Sequence, residues 1–169
     1  MSETAPHAPS TTAGASARRP VVLVADDYPE NRRLLFFYLR DQYEVLQAAT
    51  AEEAIAVLHE QQQKGTPVDI AILDLNFCDG MSGIDAIQEI RQDPVIAHVR
   101  ALALTAYAYP DDRKRCLEAG FDDYLSKPVF KDVMLRKIEA VMNRQHLAGD
   151  GGSGDNMTVW ISRRDPSAR

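Results

Sequence analysis

Five short apolar runs alternate along the chain with longer segments in which apolar residues recur at helical spacing. Brief runs of this kind suit strands that are buried on both faces of a sheet, whereas a repeat of about 3.6 residues is typical of an amphipathic helix. The predicted strands are Val21 to Ala25, Tyr43 to Gln47, Asp69 to Leu73, Arg100 to Leu104 and Phe121 to Leu125. A predicted helix follows each of them.

This strict alternation predicts an α/β fold with a doubly wound, five-stranded parallel sheet and helices on both faces. At this chain length we expect the flavodoxin-like strand order 2-1-3-4-5. Local signals mark the helix ends: Pro29 suits a first turn, Thr50 with Glu53 is a capping-box pattern, and Gly120 is typical of a helix C-terminus. The residues expected on the buried side of the last helix are Val133, Ile138, Val141 and Met142.

Composition divides the chain into three parts. Residues 1–19 are rich in Ser, Thr, Ala and Pro, so they predict a disordered arm. Residues 20–146 carry all five strand–helix units and form one predicted domain, and residues 147–169 begin as a Gly- and Asp-rich flexible tail. Within the tail, Met157 to Ile161 surround the only tryptophan, Trp160, and could dock on the body or on a partner; a disordered tail is the alternative.

Charge and cysteine usage narrow the class of protein. The net charge is −6 and no basic stripe is present, which argues against nucleic acid as the main partner. The two cysteines, Cys78 and Cys116, stand far apart without metal-ligand spacing and predict free thiols in a reducing compartment. No apolar run approaches the length of a membrane span. We therefore expect a cytoplasmic protein that binds neither nucleic acid nor membrane.

Polar residues stand where four of the predicted strands end: Asp26 with Asp27, then Asp74, Thr105 and Lys127. The carboxyl ends of parallel strands meet at one edge, where open α/β sheets bind ligands. Carboxylates packed this closely need a cation, and hard oxygen ligands suit Mg²⁺. An aspartate can then serve as the nucleophile toward a phosphoryl group, which the lysine would neutralise and the threonine hydroxyl would contact. Taken singly, these residues could instead cap helices, end strands or face solvent.

Four motifs together resemble the receiver domain of two-component response regulators. They are Val-Leu-Val-Ala-Asp-Asp at 22–27, Ile-Leu-Asp-Leu-Asn at 72–76, Leu-Thr-Ala at 104–106 and Tyr-Leu-Ser-Lys-Pro-Val at 124–129. The resemblance implies that Asp74 accepts phosphate from a histidine kinase or a histidine phosphotransfer protein. It implies that Asp27, Asp74 and the Asn76 backbone carbonyl bind Mg²⁺, with Asp26 acting partly through water.

The same resemblance implies roles beyond the metal site. Thr105 and Lys127 would contact the phosphoryl group, and Tyr124 would be an aromatic switch that turns inward when Thr105 moves. The Lys127–Pro128 bond is expected to be cis. Positions 76 and 107 tune hydrolysis in the family, and here they are Asn76 and Tyr107. We expect bulky Tyr107 to shield the acyl phosphate from water.

One loop departs from the family pattern. Residues 77–83 read Phe-Cys-Asp-Gly-Met-Ser-Gly, lack the usual proline and form a loop that is one residue longer. Loop geometry beside Asp74 is therefore open, and Asp79 could add another acid near the pocket.

The expected function is that of a single-domain regulator, without an output domain, whose phosphorylation switches the face formed by the fourth helix, fifth strand and fifth helix. Candidate partner-reading residues there are Asp111, Arg113, Lys114, Tyr124 and Lys131, and a solvated charged face is the alternative. Receivers often pair through this face, so a homodimer is also open. Two rivals remain. A haloacid-dehalogenase-type phosphatase needs a second aspartate where Asn76 stands, and a binding-only receiver would not need the intact polar set.

Overall fold

The computed structural model describes residues 18–106 and 110–144. Five strands and five helices alternate in the order that the sequence pattern predicts. The strands are β1 (Val21–Ala25), β2 (Glu44–Ala48), β3 (Ile70–Asp74), β4 (Arg100–Thr105) and β5 (Asp123–Ser126). The helices are α1 (Pro29–Leu39), α2 (Ala51–Gln63), α3 (Gly83–Gln92), α4 (Pro110–Ala119) and α5 (Lys131–Asn143). The strands form one parallel sheet in the order β2-β1-β3-β4-β5, which confirms the predicted fold class.

The sheet separates two apolar cores because successive side chains of a strand point to opposite faces. In β1, Leu23 contributes to the core on one face, while Val22 and Val24 contribute to the core on the other. Helices α2 and α3 supply Leu58 and Ile87 to the first core. Residues of α1 and α5 complete the second core: Leu35, Leu39, Met134, Ile138 and Val141. The central strands are therefore buried on both sides, and their ends are fixed in position.

Strand pairing brings the polar strand ends together. Ala25 of β1 pairs with Leu73 of β3, so Asp26 lies beside Asp74 at the same edge. In the next pair of strands Asp74 is aligned with Leu104, which places Thr105 one residue beyond it. Thr105 in turn is aligned with Ser126, the residue before Lys127. The register thus collects the polar groups that the sequence pattern assigns to one edge.

Two local predictions need correction. Strand β5 begins at Asp123, not at Phe121, because the Phe121 N–H donates to the Cys116 carbonyl at 3.0 Å and closes the end of α4. The capping box at α2 is only half formed: Thr50 accepts from the Glu53 N–H, but the Glu53 carboxylate accepts from Ala49 N–H.

In α5, Met134 is buried together with Ile138 and Val141. Val133 and Met142, which are also expected on the buried side, pack against the same core and are partly buried. None of the helices in the described ranges has the length and apolarity needed to cross a membrane.

Candidate functional site at the carboxyl edge of the sheet

Three aspartates meet at the carboxyl edge of the sheet. Oxygens of Asp26, Asp27 and Asp74 all lie within 4.8 Å of one another. Asp26 is fully buried and Asp74 is 3% exposed, because the central strands β1 and β3 carry them into the body of the domain. Negative charges held this closely out of water are unfavourable unless a cation faces them.

Lys127 supplies one such cation. Its Nζ donates to Asp26 Oδ2 at 2.8 Å and to Asp74 Oδ2 at 2.5 Å. Its backbone N–H donates to the Thr105 carbonyl at 2.7 Å, which fixes the start of the β5–α5 loop against β4. Burial by itself lowers the pKa of Lys127, but the hydrogen bonds to the two carboxylates outweigh it and raise that pKa. The ammonium therefore stays charged.

Asp26 is held rigidly by its neighbours. Its Oδ1 accepts from the Tyr28 backbone N–H at 2.9 Å, and the Asn31 amide donates to Oδ1 at 3.1 Å and to Oδ2 at 3.0 Å. Asn31 lies in α1, and we did not predict its role. In the sequence, the one indication of this role is that Asn31 lies in the first helix after Asp26 and Asp27. Arg32 adds a second brace by donating to the backbone carbonyls of Asp26 and Asp27.

Asp74 combines burial with a single strong cationic partner. Besides Lys127, its carboxylate accepts from the Asn76 backbone N–H through Oδ1 at 3.1 Å. Burial raises the pKa of Asp74 above its ordinary value, and the hydrogen bond from Lys127 only partly opposes this. The ionised carboxylate is the form that can attack a phosphoryl group, and Lys127 opposes the cost that burial places on that form.

Asp27 is the carboxylate with spare capacity. Its Oδ2 accepts from the Cys78 backbone N–H at 3.0 Å, but Oδ1 is buried and has no hydrogen-bond partner among the described residues. Burial pulls the pKa of Asp27 upward, yet the hydrogen bonds with Cys78 prevail and lower it. The carboxylate is therefore ionised. An ionised oxygen that is buried without a donor fits a bound divalent cation, and three carboxylates suit Mg²⁺.

Gly83 allows the loop after β3 to return tightly to the strand. A Cβ at this position would lie 2.0 Å from the Asp74 carbonyl oxygen, so no other residue fits without movement of the backbone. The Gly83 N–H donates to the Leu75 carbonyl at 3.1 Å, and Ser82 with Asp85 forms a complete capping box at α3. Asp79 is exposed and is not one of the three clustered carboxylates.

One of the two predicted switch residues, Thr105, lies at the strand end next to Asp74. Thr105 is 1% exposed at the end of β4. Tyr124 in β5 is half-buried, and the Lys137 ammonium of α5 lies 5.0 Å from the centre of its ring. Lys137 also pairs with Asp123 at 3.0 Å, a link that the sequence did not reveal. Tyr107 lies outside the described residues, as does Trp160 in the tail.

The candidate partner-reading residues do not all share one face. Arg113 and Lys114 on α4 are exposed. The ammonium of Lys131 lies 3.9 Å from the carboxylate of Asp41, which follows α1, so this lysine lies toward α1 rather than α4. The side chain of Asp111 lies outside the described part of the chain. The Lys127–Pro128 peptide bond is cis.

Comparison with known protein families identifies the class of protein to which this fold and site belong. The family model described as the response regulator receiver domain matches residues 22–139 of the 169-residue chain. The chain therefore belongs to the response regulator receiver domain family, whose members act in two-component signal transduction.

Relatives place this domain in proteins of different architecture. The "uncharacterized 14.6 kDa protein in sodA1 3'region" of Leptolyngbya boryana is 36% identical over 119 residues, which cover 70% of this chain and 86% of that protein. The transcriptional regulatory protein AruR of Pseudomonas aeruginosa is 35% identical over 79% of this chain. The sensor histidine kinase RcsC of Salmonella typhimurium is 36% identical over 73% of this chain. The chain spans only 54% of AruR and 12% of RcsC.

Solved structures agree with the fold. The chemotaxis response regulator CheY4 of Vibrio cholerae superposes with a TM-score of 0.66 at 26% identity, covering 73% of this chain and 99% of CheY4. A response regulator receiver domain protein of Clostridium thermocellum gives a TM-score of 0.66 at 27% identity, covering 76% of this chain and 98% of that one. The match spans nearly the whole solved chain of each neighbour.

Proposed function

We propose that the protein is a phosphoryl-accepting response regulator in which Asp74 takes a phosphoryl group from a histidine kinase or a histidine phosphotransfer protein. One observation supports this most strongly: the buried Asp74 shares Lys127 with Asp26, next to an ionised Asp27 oxygen that has no donor among the described residues. These are the parts that a phosphoryl acceptor needs, namely a nucleophile, a fixed cation and room for a divalent metal.

The proposed step is an in-line displacement at phosphorus. An oxygen of the Asp74 carboxylate attacks the phosphorus of a phosphohistidine, the P–N bond breaks, and its electron pair leaves with the imidazole. The product is an acyl phosphate on Asp74. Lys127, which donates to Asp74 at 2.5 Å, can move its hydrogen bond to an oxygen of the transferred group without leaving Asp26. The Thr105 hydroxyl, at the adjacent strand end, donates to another.

Asp26, Asp27, Asp74 and the Asn76 backbone carbonyl would hold Mg²⁺, which neutralises charge on the phosphoryl oxygens when bound. The protein's own contribution is to keep those groups fixed before the donor arrives. The hydrogen bonds from Asn31 to Asp26 and from Cys78 to Asp27 do this in the described structure.

The surface around the acceptor supports a protein as the donor. Three large apolar side chains are exposed near the site, namely Tyr28, Leu34 and Phe130, and the exposed Phe37 lies beside Leu34 on α1. A cavity of about 290 Å³ between α1 and the β5–α5 loop is lined by Leu34 and Phe130 and reaches Asp26 and Lys127. Contiguous exposed apolar surface is typical of protein contacts. A helix that carries the phosphohistidine fits this surface, because Asp74 itself is too buried to meet a flat partner.

Phosphorylation would be read at the face of α4, β5 and α5. A phosphoryl group that draws the Thr105 hydroxyl toward Asp74 opens space beside β5, and Tyr124 turns into it. Tyr124 would then leave the Lys137 ammonium, which now lies over its ring. We propose Arg113, Lys114 and Tyr124 as residues whose exposure a downstream protein or a second copy senses.

The domain limits are part of the proposal. Residues 20–146 would form the switching domain, with an arm over 1–19 and a tail over 147–169. We also propose that Tyr107 protects the acyl phosphate from water. Tyr107→Ala is expected to speed dephosphorylation, and an unchanged rate would contradict this role.

Intact-mass analysis tests the function. The protein is incubated with Mg²⁺ and a small phosphodonor such as phosphoramidate, alongside Asp74→Asn and a chelator-treated sample. One phosphoryl adduct on the wild type alone is expected. No adduct, under conditions that label another receiver, would favour a binding-only role.

A further inference from the structure

The loop of residues 75–82 determines how two of the carboxylates are oriented. Its Asn76 N–H donates to Asp74 Oδ1 at 3.1 Å, and its Cys78 N–H donates to Asp27 Oδ2 at 3.0 Å. The Cys78 contact leaves the other oxygen, Asp27 Oδ1, as the buried atom without a partner in the described residues. The direction in which Asp27 offers that oxygen therefore depends on where the loop is held.

Glu52 holds the far side of the same loop. This glutamate lies in the first turn of α2, and its Oε1 accepts from the Met81 backbone N–H at 2.9 Å. The loop passes directly over the carboxylate, since a Cβ on Gly80 would lie 2.7 Å from Oε1. Gly80 has a φ of +81°, which is a conformation that glycine adopts without strain. The turn at Gly80 and the glutamate therefore fit each other closely.

The stretch between these two contacts has little other support. Cys78, Asp79 and Gly80 are all exposed. Only Phe77 and Met81 at its edges pack, partly buried, against the core. The segment contains no proline to fix its backbone. At one end Cys78 is held by Asp27 and, through its thiol, by the Tyr28 hydroxyl at 3.8 Å; at the other end Met81 is held by Glu52.

We propose that Glu52 is a positioning residue for the divalent cation: by binding the Met81 N–H it holds the loop so that Cys78 orients Asp27 toward the metal. Glu52 does not contact the metal or the phosphoryl group. This inference rests on the proposed function, since it concerns the cation that the three aspartates would bind.

The test measures Mg²⁺ binding by calorimetry on the full chain, without phosphorylation, in four variants. Glu52→Ala removes the acceptor, whereas Glu52→Gln removes the charge and keeps a side-chain oxygen for the Met81 N–H. Glu60→Ala is the matched control, because it removes one exposed acid from the same helix away from the loop. Asp27→Asn reports on the metal site itself. Amide hydrogen exchange at Cys78 and Met81 gives a second, metal-free readout.

We expect Glu52→Ala to weaken Mg²⁺ binding about three- to tenfold, the size of one lost hydrogen bond, and to speed exchange at both amides. Glu52→Gln and Glu60→Ala should stay within about twofold of the wild type. Equal weakening in Glu52→Gln, Glu60→Ala and Glu52→Ala would assign the effect to charge and overturn the proposal. Wild-type binding in Glu52→Ala, with Asp27→Asn defective, would overturn it and leave the proposed function standing. A wild type that does not bind Mg²⁺ would overturn both.

Discussion

The two ends of the same sheet each hold a cationic side chain among polar groups, and they use it differently. At the amino end, Arg91 donates to the carbonyls of Ala97, Val99 and Gly120 at 2.6 to 2.9 Å, and to Asp122 at 3.2 Å. Four of the five N–H groups of the guanidinium have acceptors there, in keeping with its planar fork. At the carboxyl end, Lys127 faces Asp26 and Asp74, and the neighbouring Asp27 keeps an oxygen for which the described part of the chain provides no donor.

The contrast between the Arg91 and Lys127 clusters separates a structural polar cluster from a candidate functional one. Each of these Arg91 contacts joins two chain segments. Burial lowers the pKa of the guanidinium, which nevertheless keeps its charge. Around Lys127 the acids outnumber the cation, and the pKa of Asp74 is raised by burial. The contacts of Arg91 therefore make the cluster at the amino end a stabilising link between chain segments. The incomplete pairing at the second cluster supports the proposal that a metal and a phosphoryl group bind there.

The largest expected effect is on the reaction at the carboxyl end. Lys127→Ala removes the fixed cation that would face the transferred phosphoryl group, so we expect the Mg²⁺-dependent labelling rate to fall about 10²- to 10³-fold. The rate of adduct formation by mass spectrometry measures this. Lys131→Ala, which removes a lysine of the same region, is the control. Equal labelling in Lys127→Ala would remove the distinction between the two ends.

Arg91→Ala should lower the free energy of unfolding by about 2–4 kcal/mol, because several carbonyls at the amino end and Asp122 lose their donor. Urea unfolding followed by circular dichroism measures it. The folded fraction should still be labelled with Mg²⁺ at the wild-type rate. Lys at position 91 should restore only part of the loss, since an ammonium cannot reach the separate acceptors that the guanidinium fork serves. A variant as stable as the wild type would show that the Arg91 network is incidental.

Gly83→Ala should lower the free energy of unfolding by about 1–3 kcal/mol, because its Cβ would clash with the Asp74 carbonyl oxygen. The variant should also slow labelling, because the clash moves Asp74. Gly65→Ala is the matched control. Gly65 has a φ of +73° and nothing within 4 Å of its added Cβ, so only backbone strain of about 1–2 kcal/mol is expected there. If both variants label normally, the close approach of Gly83 does not position the acceptor.

The smallest expected effect is a pH dependence of stability in metal-free buffer. Because burial raises the folded-state pKa of Asp74, ionisation is costlier in the folded state than in the unfolded chain. Its contribution is therefore most favourable below the pKa of an ordinary aspartate and is lost as the pH rises through the folded-state value. Asp74→Asn should gain stability over the wild type on going from pH 4 to pH 7, as measured by urea unfolding. A constant difference would contradict the raised pKa.

The strand ends were predictable from sequence because they depend on register alone. Four residues stand at or just after the carboxyl ends of strands, and parallel pairing must bring such positions to one edge: Asp26, Asp74, Thr105 and Lys127. The core of α2 was predictable for a similar reason, since Ala54, Ile55 and Leu58 recur at helical spacing. Periodic patterns carry this information directly.

The contacts that hold the site were not predictable, because they come from irregular backbone. Nothing periodic indicates that the Cys78 N–H reaches Asp27 or that the Met81 N–H reaches Glu52. The sequence did not indicate the roles of Asn31 and Lys137, because no periodic spacing links them to their partners Asp26 and Asp123. The likeness to receivers predicts which residues form the candidate site, but not what positions them in this chain.

The most direct test locates the phosphoryl group chemically. After incubation with phosphoramidate and Mg²⁺, the protein is reduced with borohydride, which converts an aspartyl phosphate to homoserine, and its peptides are sequenced by mass spectrometry. The proposed function predicts homoserine at position 74, absent without the donor or with a chelator. Homoserine at Asp26 or Asp27, or none in folded protein under conditions that label another receiver, would contradict it.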